Sequence, residues 1–153
     1  MKQLDFQGAF TFPIAVDSSG DVYHCGTGVS GSLRGLCVAK YSGVNGALLW
    51  SGCAAPRGES YVTATAAVID RIRGNVLVTG ALASYKGFYT ACFGGTDGML
   101  RWDIETSDPA STGYEAYPIG IAVGASGYPI VTGWVEMSVF GSRNIQTVGY
   151  GPP

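Results

Sequence analysis

The 153-residue chain carries nine Lys and Arg against eleven Asp and Glu, a net charge of −2, with 46% hydrophobic and 13% charged residues. That length supports one domain with a packed core. The lack of clustered positive charge excludes a nucleic-acid groove, and no apolar run approaches the roughly 20 residues of a membrane-spanning helix.

Gly, at 24 residues, is about twice as frequent as usual. Lys and Glu, which cover helix surfaces, are scarce, so the composition points to an all-β chain. The first residues, Met1-Lys2-Gln3-Leu4-Asp5, show no apolar signal-peptide core, which makes a cytoplasmic location the default expectation.

Along the chain, a short strand is expected within residues 1–9. Three apolar segments follow, each leading through a glycine turn into a second strand that closes on Gly. They are Ile14-Ala15-Val16 to Gly26, Ala67-Val68-Ile69 to Gly80, and Ile121-Ala122-Val123 to Gly133. The closing glycines recur at intervals of 54 and 53 residues, and such self-similarity marks a repeat architecture. After the first copy, Ala39-Lys40-Tyr41 runs through Asn45-Gly46 to Trp50. After the second, Ala91-Cys92-Phe93 runs through Asp97-Gly98 to Trp102 without a gap. Asn-Gly and Asp-Gly accept the positive φ that tight hairpins demand. Each copy therefore predicts four short antiparallel strands in about 50 residues, the content of a propeller blade.

This pattern resembles bacterial β-propeller repeats of the A-V-D-x-x-G-N-V-Y-V-T-G type, and its Ala…Gly…Trp portion resembles the tryptophan-docking repeat of quinoprotein propellers. The resemblance covers essentially the whole chain. It implies three four-stranded antiparallel blades: blade 1 at about 11–54, blade 2 at about 60–105 and blade 3 at about 116–151. A quinoprotein would further imply a quinone, a calcium site and about eight blades. No matching acidic cluster is present, so no cofactor and no metal are expected. The third blade lacks its last strand, whereas Leu4-Asp5-Phe6 aligns with Leu49-Trp50 and with Leu100-Arg101-Trp102. Since propellers have four to eight blades, the expectation is a homodimer closing a six-bladed ring. In it, strand 1–9 completes the partner's last blade.

The longer, irregular connections fall on one ring face, and loops on a rigid scaffold are where binding residues concentrate. Arg34, Arg57, Tyr61, Tyr114, Tyr117, Trp134 and Glu136 are the candidate ligand contacts there. Trp134 stands out because Thr27 and Ala81 hold its place in the other copies. No catalytic residue is identified: the only His, His24, lacks metal-ligand spacing, and no nucleophile elbow or phosphate loop occurs.

Cys25, Cys37, Cys53 and Cys92 contain no Cys-x-x-Cys. Cys37 lies within pairing reach of either Cys25 or Cys53, but three cysteines in one blade cannot all pair, so free thiols in a reducing compartment are expected. The functional expectation is a non-enzymatic binding or scaffold module for a small molecule, glycan or peptide. The alternatives are a propeller lyase or hydrolase with a site at the ring axis, or a purely structural subassembly.

Overall fold

A computed structural model describes residues 5–6, 13–30, 33–57, 62–83, 87–107, 115–136 and 142–151. Every regular element among them is a strand. The first sheet contains β1 (Asp5–Phe6), β2 (Ile14–Val16), β3 (Val22–Ser30), β4 (Leu33–Tyr41) and β5 (Leu48–Ala54). The second contains β6 (Val62–Asp70), β7 (Asn75–Leu82), β8 (Gly87–Phe93) and β9 (Leu100–Ser107). The third contains β10 (Ala116–Val123), β11 (Pro129–Glu136) and β12 (Arg143–Gly149). All pairs are antiparallel and run in chain order, except that β1 and β2 both lie along β3.

Local chemistry accounts for the turns. Gly20, Gly46, Gly74, Gly98 and Gly127 all have φ between 68° and 84°, the left-handed region in which side chains other than glycine's are strained. Asp17 Oδ1 receives the amides of Ser19 and Asp21, and Asp70 Oδ1 receives those of Ile72 and Arg73. A short acceptor thus closes each of these turns. The hairpins carrying Asn45-Gly46 and Asp97-Gly98 are closed in the same way, by Asn45 Oδ1 on Ala47 N and Asp97 Oδ1 on Met99 N. Register irregularities fall at corresponding places: Leu49 and Arg101 are bulged opposite the ends of β4 and β8, and Thr65 and Ile119 are bulged in β6 and β10.

Because alternate side chains face opposite ways, the second sheet has two packed faces. Val76 and Val78 of β7, with Tyr89, Ala91 and Phe93 of β8, meet Tyr23, Cys25, Leu36 and Val38 of the first sheet. Phe88, on the other face, meets Ala116, Val131 and Val135 of the third. Every residue of β8 is buried, and all but the first of β7. Tyr150 fastens the third sheet to the second, its hydroxyl 3.1 Å from Thr90 Oγ1 and 3.2 Å from Thr106 Oγ1.

Two features differ from the sequence expectations. The described part of the N-terminal segment, Asp5–Phe6, pairs with Val29 and Gly28 of its own first sheet. That places it on the same edge of β3 as β2 rather than beside the third sheet. Among the described residues, the third sheet has three strands, and β12 forms its edge. Second, Cys37 and Cys53, directly opposed on β4 and β5, form a disulfide, which corrects the expectation of free thiols at these positions. Three residues were competing for one bridge, and the register of this hairpin selected the pair. Disulfides persist in oxidising compartments, so the bond removes the argument for a reducing one.

Candidate functional site

Corresponding strand order and register in the three antiparallel sheets make the outer faces of the first and third directly comparable with the two internal junctions. The cross-strand pairs Thr27–Leu36, Ala81–Phe88 and Trp134–Ile145 occupy the same register position in the three sheets, as do Tyr23–Lys40, Leu77–Cys92 and Ile130–Gly149. Leu36 and Phe88 are 0% exposed, but Ile145 is 85% exposed; Tyr23 and Leu77 are 2% exposed, but Ile130 is 48%. At the opposite end, Ala67 and Ile69 pack on the core between the first two sheets. Their counterparts Ile14 and Val16 on the first sheet are 65% and 55% exposed. Ile130 and Ile145 at one end and Ile14 and Val16 at the other are therefore apolar and exposed, whereas Cys37 and Ala39 on the outer face of the first sheet are buried.

The candidate contacts do not all come together in one place. Trp134 and Tyr117 lie opposite each other on β11 and β10, with ring centroids 5.8 Å apart and planes 13° from parallel. From the other flank, β12 brings the Arg143 guanidinium to 4.2 Å from the Trp134 ring centroid. Glu136 pairs with Arg143 across the same ladder. Tyr117, Trp134 and Glu136 are thus gathered on the outer face of the third sheet. Both faces of the Trp134 ring are occupied, which leaves its edge for a partner. Arg34 is elsewhere, exposed on β4 opposite Val29. Arg57 follows β5, and its amide donates to Glu105 Oε1 of β9. Tyr61 and Tyr114 lie outside the described residues.

The sequence reading passed over Lys40. Its position in Leu36-x-Val38-x-Lys40 places it on the inward face of β4, and that alternation was the available signal. Its ammonium is 3.1 Å from both Asp17 and Asp21 and 5.0 Å from the Tyr23 ring centroid. It also donates to the Gly95 carbonyl, which takes the Tyr23 hydroxyl and Trp50 Nε1 as well, at 3.1–3.3 Å. One carbonyl of the second sheet thus anchors three side chains of the first. A Cβ on Gly95 would collide with the Gly74 carbonyl, so the β8–β9 turn lies against the β6–β7 turn of its own sheet only because this residue has no side chain.

At the corresponding place between the second and third sheets, Leu77 and Cys92 stand where Tyr23 and Lys40 stand in the first junction. The smaller pair leaves a cleft of about 740 Å³. It opens at the short-turn end of the sheets, between Asp70, Arg73 and Asn75 on one side and Gly127 and Tyr128 on the other.

The chain matches no protein-family model and no curated protein sequence.

The two free cysteines are buried. Burial pushes the Cys25 thiol up to about 12, and burial followed by the Asp70 charge pushes Cys92 up to about 11. Since the thiolate is the nucleophile, a disulfide-exchange reagent at pH 8 is expected to label neither in the native protein and two thiols per chain after unfolding. Labelling of four would show that the Cys37–Cys53 bond is absent.

Proposed function

We propose that the chain is a non-enzymatic binding or scaffold module, a run of three β-propeller blades whose two end faces dock on a second copy. The observation that carries this is the exposure of Ile130 and Ile145 at one end, where their counterparts inside the chain are buried, and of Ile14 and Val16 at the other, where the counterparts Ala67 and Ile69 are partly buried against the core. The outer face of the third sheet corresponds to the face with which the first sheet packs on the second. Likewise, the outer face of the first corresponds to the face the second presents to the first. Docking end on end therefore repeats a junction that the chain already makes twice. Two copies supply six blades, within the four to eight that close propellers, and a head-to-tail contact that closes leaves no apolar face in water. Asp5–Phe6 stays on β3 in this arrangement, so the seam is made by the sheet faces, with the Tyr117–Trp134–Arg143 stack as part of it.

Light scattering coupled to size exclusion is expected to give a mass near twice 15.9 kDa. The double substitution Ile130→Asp, Ile145→Asp is expected to give half that mass with unchanged strand content by circular dichroism. A wild-type monomer at tens of micromolar, or a double variant that keeps the larger mass, sinks the proposal.

A further inference from the structure

We infer that the cleft between the second and third sheets is a binding site for a flat aromatic carboxylate. This rests on the binding-module reading above and names the ligand class. The floor is apolar: Leu77, Cys92, Ile104 and Tyr150 surround Trp102, whose ring lies 6.2 Å from that of Tyr150 at a tilt of 39°. Pockets of this kind take their orientation from a few polar groups at the edge.

Here those groups are guanidiniums with donors to spare. Arg73 uses only Nη1, bridging Asp70 Oδ2 at 3.3 Å and the Gly127 carbonyl at 2.7 Å. Arg101 uses only Nη2, on the two Asp97 oxygens at 2.9 and 2.8 Å. Each guanidinium carries five N–H donors; Arg73 also lies over the Tyr128 ring, 5.9 Å from its centroid, and the remaining donors meet no hydrogen-bond acceptor among the described residues. The nearby carboxylates, by contrast, already have donors. Asp70 accepts from two turn amides and from Arg73, and Asp103 accepts the Tyr89 hydroxyl at 2.6 Å. The cleft thus offers unused donors beside an aromatic floor, which favours an acceptor-bearing, negatively charged ring over a cation or a neutral alkane.

The first junction explains why the space is there. Tyr23, Lys40 and Trp50 fill the corresponding volume between the first and second sheets, and their own ring and hydrogen-bonding groups satisfy it. In the second junction only the tryptophan is kept. A ligand would supply the missing ring.

The probe is sodium 2-naphthoate, titrated calorimetrically into the full chain, with neutral 2-naphthylmethanol as its comparison. Naphthoate is expected to bind about tenfold or more tightly than the alcohol, the scale of a charge-assisted hydrogen bond. The double variant Arg73→Met, Arg101→Met is expected to remove that preference while still binding the alcohol. Leu77→Tyr, which restores the first junction's filler, is expected to abolish both. Equal binding of the two probes, no heat from naphthoate, or an unchanged preference in the arginine variant overturns the inference. The solution mass of the same samples separates the two readings. A dimer that ignores naphthoate removes the cleft alone, and a monomer that binds it removes the ring alone.

Discussion

Phe88→Ala is expected to lower the unfolding free energy by about 3–5 kcal/mol, the usual range for deleting a buried aromatic ring. Phe88 is 0% exposed and provides the central contact from β8 to Ala116, Val131 and Val135 of the third sheet. Collapse cannot fill the hole easily, because the facing backbone is already close: a Cβ on Gly133 would come within 2.9 Å of the Phe88 ring. Domains of this size are held by about 5–15 kcal/mol, so a loss of this size removes a large share of the margin. Urea unfolding followed by tryptophan fluorescence measures it. A loss below about 1 kcal/mol would mean that the second and third sheets are not packed through this ring.

Lys40→Met is expected to cost about 2–3 kcal/mol and to change the pH dependence of stability. The Lys40 side chain is only 12% exposed, with its ammonium between Asp17 and Asp21, and its removal leaves two carboxylates facing each other without a counter-charge. Fully buried pairs lose about 3–5 kcal/mol when one partner is removed, and partial solvent access reduces this. Burial alone would push the Asp17 carboxyl up. The Lys40 ammonium, the Asp21 and Ser19 amides and the Tyr23 hydroxyl outweigh burial and hold it below the ordinary 3.8. Burial would likewise push Lys40 down, but Tyr23, Asp17 and Asp21 hold it above the ordinary 10.5.

A depressed carboxylate contributes stability that is present above its unfolded value and lost as pH falls through the folded one. A raised amine contributes stability that is present below its unfolded value and lost as pH rises through the folded one. The cluster is therefore fully effective between about pH 4 and pH 10. Melting temperatures measured from pH 2 to 7 are expected to fall steeply below pH 4 in the native protein and more gently in the variant. Parallel curves would assign the acid loss to other carboxylates.

Much of the architecture could be read from the chain because it depends on short-range rules. Gly20, Gly46, Gly74, Gly98 and Gly127 mark turns that need a positive φ, and apolar alternation marks the strands between them. Gly26, Gly80 and Gly133 recur at one register position, inside β3, β7 and β11. What could not be read depends on distant partners. Lys40 sits in an unremarkable Ala-Lys-Tyr segment, and only the arrival of Gly95 from the next sheet shows why a cation is there. The Cys37–Cys53 pairing depended on the register of one hairpin, and spacing alone left two choices open. Trp134 was conspicuous from its substitution pattern, but the stack that covers its ring needs Arg143 from a neighbouring strand. The cleft was not visible in sequence at all, because it arises from two smaller residues, Leu77 and Cys92, at the register positions that Tyr23 and Lys40 hold in the first sheet.

The second sheet forms one wall of each of the two cores, and this shapes how the molecule comes apart. Within one chain, losing the first or the third sheet breaks a single internal junction, while losing the second breaks both at once. Once the seam between copies has parted, opening should therefore start at the ends and reach the middle last, in the manner of stacked units held by nearest-neighbour contacts. The backbone amides of β7 and β8 become the slowest clock in the chain, exchanging with solvent only when the whole structure opens.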